Sequence, residues 1–562
     1  MKKKHLLVFV FFLTLSIVLR FPTFFQSVID WDESLYILIG RSLKEGHLPY
    51  TEVWDHKPPG IYILFSLALM LFGNSMFAIR FISCIAVTVT CYFLYKTGKT
   101  FSKNSEKVGL VSGILYVIFS LTNGGISANT EIFFIPFVTI AFYLLISSDV
   151  YPEKLIEYKS LRLFAIGLVI GMGLLIKQLV IFDFLAIIII LGMSLYSSRI
   201  RGTQSFITQI IRSYILVAVG TILPFFITVI YYLLNGDIED FIYANFTANV
   251  LRSNLGFSLD RFIKAIVVQT AQYFLLWTGL VLTLLYLALF KEVAREERRK
   301  LIAGVIWFIL QFLGVCYTRD FWSHYFLQVL PSLCFLSSFI IVKVIYPESK
   351  PYKRSRNGDL GTLIFGFALS LYFVLRSIIK TGEIIYFQYV KGINNWGDPT
   401  AVVADYVKER VSRKDYIYVV DDQPIIYFLA QAKVPTKFVF PGHLLGEDFA
   451  KVAGVNSLQE LNSIIQKKPV YILKRGKNVS DGRGAVYTGL DFYIKSQIEG
   501  RIAKLTTRQP KTETKIDSPQ QKNTTLADKF YANLDTYLKE RYIFETSIEG
   551  IELYKIKTQE NS

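Results

Sequence analysis

The chain has 562 residues, 52% of them hydrophobic and 19% charged, with a formal net charge of +17. A soluble domain of ordinary composition carries about 25% charge, and the mean hydropathy here is +0.40. Disorder, collagen-like repeats and an ordinary soluble enzyme are excluded, and the basic excess points to anionic lipid rather than nucleic acid.

Lys2, Lys3 and Lys4 precede an apolar run over 6–25. It is long, and no small-residue cleavage site follows, so it reads as a first span entering from the cytoplasm. Further spans are expected at 76–96, 108–122, 131–148, 162–178, 179–197, 213–234, 265–290, 301–316, 325–346 and 360–380, about eleven in all. The run 60–73 follows Pro58 and Pro59 and is too short to cross, so it is expected to lie at the membrane surface. With that assignment, 23 basic residues fall on the N-terminal side and eight on the other up to residue 324, as the positive-inside rule requires.

The fold expected for residues 1–381 is therefore an α-helical polytopic membrane domain, with a first outer loop at 26–75. Residues 382–562 read as an extracytoplasmic α/β domain. Helices are expected at 401–413, 457–467 and 528–541, and strands at 416–420, 434–440 and 469–473. The polar stretch 506–525 reads as loose. Cys84, Cys91, Cys316 and Cys334 lie in apolar runs without metal-ligand spacing, so no disulfide framework is visible. Gly167 and Gly171 form a GxxxG, a weak signal for close helix packing.

Every cluster that looks chemical falls on the non-cytoplasmic side. The first loop holds Asp30, Asp32, Glu33, Tyr36 and Tyr50, then Trp54, Asp55, His56, Lys57, Pro58 and Pro59. A carboxylate there can act as a general base on a hydroxyl or amine. Lys57 can hold a phosphate as a compact charge, and Trp31, Tyr36, Tyr50 and Trp54 can stack on sugar rings. Helix capping explains one acid near Glu33 equally well. It does not explain an Asp-His-Lys group more than twenty residues later. Glu131 opens a span, either as a helix N-terminal charge or as a second acid facing the first loop. Lys177 ends a span, by snorkelling or as a phosphate contact. Arg319, His324 and Tyr325 lie in an aromatic-rich loop, where Arg319 or His324 can meet a phosphate or a sugar hydroxyl. Arg20 and Arg80, inside spans, read more readily as helix-paired than as ligands.

The pattern DESLY at 32–36, GHLPY at 46–50, WDHKPPGIY at 54–62, LFG at 71–73 and an arginine in the next span resembles the polyprenyl-phosphate-sugar glycosyltransferases of the GT-C fold. It is most similar to the family 39-like bacterial enzymes, relatives of protein O-mannosyltransferases and of lipid A aminoarabinose and rhizobial galacturonosyl transferases. ANTEIFF at 128–134 and SHYFLQVLP at 323–331 resemble later landmarks of that group. The resemblance covers about residues 1–346. It implies transfer of a sugar from a polyprenyl-phosphate donor to an envelope lipid, glycan or protein at the outer face of the cell membrane. It implies Asp32 with Glu33 as the catalytic acids, and Lys57 as the phosphate ligand. His56, Asp55, Tyr36, Tyr50, Lys177, Arg319, His324 and Tyr325 would line the donor site, with Glu131 as the second acidic position. A divalent cation on Asp32 and Glu131 is allowed by the family, though no ligand set here forces it. The competing function is a transporter or flippase of lipid-linked glycans. Against it, the polar residues gather at one face rather than the midplane, and no repeated halves are visible.

Overall fold

The computed structural model describes residues 2–101, 104–147, 160–197, 205–253, 258–290, 295–346, 378–476 and 525–557, with a few single positions between. Apolar helices dominate the N-terminal two thirds. Lys3–Phe25, Met76–Gly98, Ile207–Asn235, Arg295–Tyr317 and Ser323–Ile345 are each long and apolar enough to cross a membrane. Thr130–Ile146, Ser160–Leu174 and Val180–Tyr196 are shorter apolar helices. The protein is thus a membrane protein. The expected span at 360–380 lies mostly outside the described residues.

One expected span is corrected. The segment 265–290 is not one rod: Leu259–Gln272 and Phe274–Leu289 meet at 89°. The first piece is amphipathic and the second apolar almost throughout, so they sit in different surroundings and break at Tyr273. The short helix expected at 60–73 runs over Gly60–Phe72, begun just after Pro58 and Pro59 as proline geometry dictates.

Polar groups tie the bundle together. The Arg20 guanidinium, 2% exposed, donates to the hydroxyl of Ser120 at 2.8 Å and to its carbonyl at 3.0 Å. Asp183, inside Val180–Ser197, accepts from Trp307, Gln311 and Gln328 at 2.7, 2.8 and 2.9 Å. Gly167 and Gly171 let Ser160–Leu174 lie directly on Ser205–Asn235. A Cβ at either would collide with the carbonyl of Val217 or Thr221, so the GxxxG does mark a close crossing.

The C-terminal part carries a small sheet ordered β1-β2-β4-β3. Its strands are β1 (Ile417–Val419), β2 (Tyr471–Arg475), β3 (Tyr542–Ile548) and β4 (Ile551–Ile556). β1 and β2 are parallel, with Tyr418 opposite Ile472, while β4 runs antiparallel to both β2 and β3. Helices Pro399–Lys408, Ser457–Gln466 and Leu526–Arg541 surround it. The β3–β4 hairpin turns on Glu549 and Gly550, both at positive φ, the signature of a tight two-residue turn. The expected strand at 434–440 does not form. Pro435 cannot donate to a ladder and Pro441 ends the run. The stretch is irregular, and the Lys437 carbonyl accepts from the Trp54 N–H at 2.8 Å. The expected loose stretch at 506–525 lies almost wholly outside the described residues.

Candidate active site

The site begins with a helix start. Asp30 caps Trp31–Lys44, accepting from the Asp32 N–H at 3.0 Å, and Glu33 closes a capping box. Successive residues on a helix point about 100° apart, so Asp32 and Glu33 diverge. Glu33 is fully buried and grips Arg80, with one of its oxygens 2.7 Å from Nη2. It also accepts the Ala128 N–H at 2.9 Å. Arg80 donates further to the Thr23 carbonyl at 3.3 Å. The second acid of the DE pair therefore faces the protein interior.

Asp32 faces the other way. Its Oδ2 accepts from the Tyr36 hydroxyl at 3.1 Å and stands 3.8 Å from the Lys57 ammonium. Burial pushes this carboxyl up, but Lys57, with His324 and Lys177 farther off, overrides it and holds Asp32 below the usual carboxylate range. Asp30 goes the opposite way, raised by burial and then by the charges of Asp32 and Glu33.

The loop carrying Lys57 is built to be rigid. Tyr50 sits in the left-handed region at φ 79°, and its buried hydroxyl donates to the Lys57 carbonyl at 2.7 Å. Asn245 donates to that same hydroxyl at 3.0 Å, and Asn249 to the His56 carbonyl at 3.1 Å. The Gly60 N–H donates to the Leu175 carbonyl at 2.7 Å, which docks the loop of Lys177 beside that of Lys57. Asp55 is buried, accepts from the Tyr62 hydroxyl at 2.9 Å, and lies 3.1 Å from His56 Nδ1. That contact fixes the tautomer with a proton on Nδ1, leaving Nε2 to face Lys57 at 3.4 Å and Arg252.

Three cations converge here. Lys57 is joined by Lys177, whose ammonium pairs with Glu131 and lies 4.1 Å from the centroid of the Tyr325 ring. Arg252 follows, 2.8 Å from Asp320 and 3.5 Å from the Tyr325 hydroxyl. Burial opposes the charge on Lys57, yet Asp32 and Asp55 raise its pKa. Lys177 is lowered, by burial first and by Lys57 among its neighbours. His324 packs edge-on to Tyr325 with ring centroids 4.7 Å apart. Arg319 is exposed at φ 60°, and its neighbour Asp320 is the residue that turns inward. Sequence reading missed Arg252, Asn245 and Asn249 as parts of this cluster. Nothing in their local spacing marks them; packing of the segments 238–253 and 317–325 brings them in.

Asp32 and Glu131 each face a lysine. Among the described residues, no group of three or more His, Cys, Asp and Glu converges to hold a metal ion. The donor set therefore does not fit the divalent cation that the resemblance allows.

The C-terminal part covers the loop. Ser27 donates to Asp398 through its hydroxyl at 2.8 Å, and Ser34 to Gln423 at 3.2 Å. Trp54 meets His443 edge-on at 4.9 Å. His443 is 3% exposed and boxed by Phe438 and Phe440 as well. Burial lowers its pKa to about 3, and burial followed by Lys57 and Arg252 lowers that of His56 to about 4. Both are neutral in the fold but take a proton near 6.5 once unfolded. The unfolded chain thus binds more protons between these values. Stability falls as pH drops from about 6.5, by roughly 1.4 kcal/mol per pH unit for each histidine. Thermal melting from pH 7.5 to 4.5 should show this slope, and His443→Phe should flatten it. An unchanged slope would mean that His443 is already charged in the fold.

Residues 56–232 match the family model described as dolichyl-phosphate-mannose-protein mannosyltransferase. No curated protein matches the chain in sequence. Among solved structures, the chain is similar to ArnT from Cupriavidus metallidurans bound to undecaprenyl phosphate, with a TM-score of 0.57 and 12% identity over 98% of both chains. The apo form of that protein gives 0.50 over 83% of this chain and 92% of the other, again at 12% identity. The Archaeoglobus fulgidus oligosaccharyltransferase, tethered to an acceptor peptide, gives 0.46 at 14% identity over 84% of this chain and 69% of that one. The chain therefore shares the fold of the ArnT structure over nearly its whole length, and its residues 56–232 match the mannosyltransferase family model.

Proposed function

We propose that this chain moves a sugar from a polyprenyl-phosphate donor to an envelope acceptor at the outer face of the cell membrane. The observation that carries the reading is Lys57. It is a buried ammonium whose nearest carboxylate is 3.8 Å away, so it keeps donors to spare beside two further cations. A buried cation with unspent donors is suited to an anion that arrives with substrate. The ArnT structure with undecaprenyl phosphate supports that choice of anion.

In this mechanism the acceptor's oxygen or nitrogen attacks the anomeric carbon. Its proton passes to the Asp32 carboxylate, which Lys57 keeps ionised and Tyr36 orients. The bond from the sugar to the phosphate oxygen breaks, and the polyprenyl phosphate leaves with the electron pair. Lys57, Lys177 and Arg252 stabilise the departing charge. Glu33 acts as a positioning residue through Arg80, and His56 as a neutral spacer between Lys57 and Arg252. Residues 1–381 would form the catalytic membrane domain and 382–562 an extracytoplasmic domain, with the N-terminus in the cytoplasm. That orientation follows from the basic loops.

The test is transfer by the purified chain in nanodiscs. Labelled polyprenyl-phosphate sugars would be supplied with an envelope extract as acceptor. Wild type should move label, and Lys57→Met should lower kcat/KM by roughly 10²–10³. Label crossing the bilayer on its lipid without transfer would establish the transporter instead.

A further inference from the structure

Asp183 sits in the first turn of Val180–Ser197 and is fully buried. Its two oxygens take three side-chain donors from two other elements. Trp307 and Gln311 lie one turn apart on Arg295–Tyr317, and their N–H groups meet Oδ1 at 2.7 and 2.8 Å. The Gln328 amide meets Oδ2 at 2.9 Å from the short helix Ser323–Val329. Helix polarity favours a carboxylate in a first turn. It does not call for three donors converging there from elsewhere.

Both amides are held in one orientation. The Gln311 oxygen accepts from the Ser332 hydroxyl at 2.7 Å, so its nitrogen faces Asp183. The Gln328 nitrogen also donates to the Leu179 carbonyl at 3.3 Å. Leu179 stands two residues after Lys177, in the turn ahead of Val180–Ser197. Ser323–Val329 is a 3₁₀ helix, in which residues three apart eclipse. Tyr325 and Gln328 therefore share a face, and that face meets the Lys177 turn twice. The Lys177 ammonium lies 4.1 Å from the Tyr325 ring centroid, and Gln328 bridges the Leu179 carbonyl to Asp183. Trp307 in turn stacks on Phe142 at 4.1 Å, and Phe142 belongs to the helix that holds Glu131 in its first turn. Asp183 thus joins the three elements from which Lys177, its partner Glu131 and Tyr325 project.

We propose that Asp183 is a positioning residue for the donor phosphate. Through Gln328 it holds the Lys177 turn against Tyr325 and fixes where the second cation stands. The phosphate role rests on the function proposed above; the latch itself does not. A lysine ammonium is a compact charge on a flexible stem, so its place is set by what grips its backbone and its ring partner.

The experiment pairs hydrogen exchange with transfer kinetics on the full chain in nanodiscs. Asp183→Asn keeps the side-chain shape. Its oxygen stays with Trp307 and Gln311, and its NH₂ then faces Gln328, whose own donor has to swing off the Leu179 carbonyl. Exchange across 175–182 and 323–329 should quicken about fivefold. The donor KM should rise about tenfold while the acceptor KM stays unchanged. Gln328→Leu should do the same with Asp183 still held by Trp307 and Gln311, and it carries the test if Asp183→Asn fails to fold. In a Lys177→Met background, Asp183→Asn should add nothing to the donor KM. Trp307→Phe keeps the stack on Phe142 and the Gln328 contact, so its donor KM should stay near wild type even where its melting temperature falls. Unchanged exchange in Asp183→Asn and Gln328→Leu overturns the latch. Faster exchange with an unchanged donor KM, or an equal rise in Trp307→Phe, overturns the positioning role. A wild type that transfers no sugar defeats the function proposed above and the phosphate role with it, while exchange still decides the latch.

Discussion

Asp32→Asn should lower sugar transfer by roughly 10²–10⁴, the range over which a positioned general base contributes, while membrane abundance and melting temperature stay close to wild type. The asparagine keeps the shape and the contact with Tyr36 but cannot take the acceptor's proton. It also removes the negative charge that faces Lys57 at 3.8 Å, so donor binding should hold or tighten. The loss should appear in kcat rather than KM. A variant with full kcat would rule out proton transfer to Asp32. A variant that no longer accumulates in the membrane would show that the carboxylate is needed for folding.

Arg80→Met should have the opposite profile. Arg80 and Glu33 are 1% and 0% exposed, and the guanidinium holds the Glu33 carboxylate while reaching the Thr23 carbonyl. Removing it strands a buried carboxylate, which costs about 3–5 kcal/mol. The melting temperature should fall sharply, and transfer should fail because the turn before Asp32 loses its anchor. The double variant Glu33→Gln with Arg80→Met should recover a good part of the stability, since no uncompensated charge remains. A double variant no more stable than Arg80→Met alone would mean that the arginine acts through packing rather than through its pairing with Glu33.

The two outcomes separate neighbours that look equivalent in sequence. Asp32 and Glu33 are adjacent acids, and the resemblance makes both catalytic. The helix turns one toward Lys57 and the other into the bundle, and that divergence follows from helical geometry once the capping box at Asp30 is recognised. The WDHKPP segment was legible because its chemistry is local: acid, imidazole and ammonium lie within a few residues and prolines fix the backbone. Arg252 was not, because it reaches His56, Asp320 and Tyr325 across more than sixty positions of chain. Of the eleven expected spans, five coincide with helices long and apolar enough to cross a membrane among the described residues, while those at 131–148, 162–178 and 179–197 are shorter apolar helices. The reading failed at 265–290, where an amphipathic and an apolar helix run on without a proline or glycine at the break. The β3–β4 hairpin was missed although Glu549-Gly550 between alternating residues announces it.

The contact between Trp54 and the carbonyl of Lys437 has a bearing on timing. The loop holding Lys57 leaves the ribosome early, whereas β4, which joins β2 to β3, is made about 500 residues later, some 25–100 s at ordinary rates of synthesis. Through that interval the inserted helices carry a loop without its cover, so a nascent chain should be catalytically silent. Each molecule would begin work after the last strands have paired, and a chain cut short before Ile551 would remain an inert passenger in the membrane.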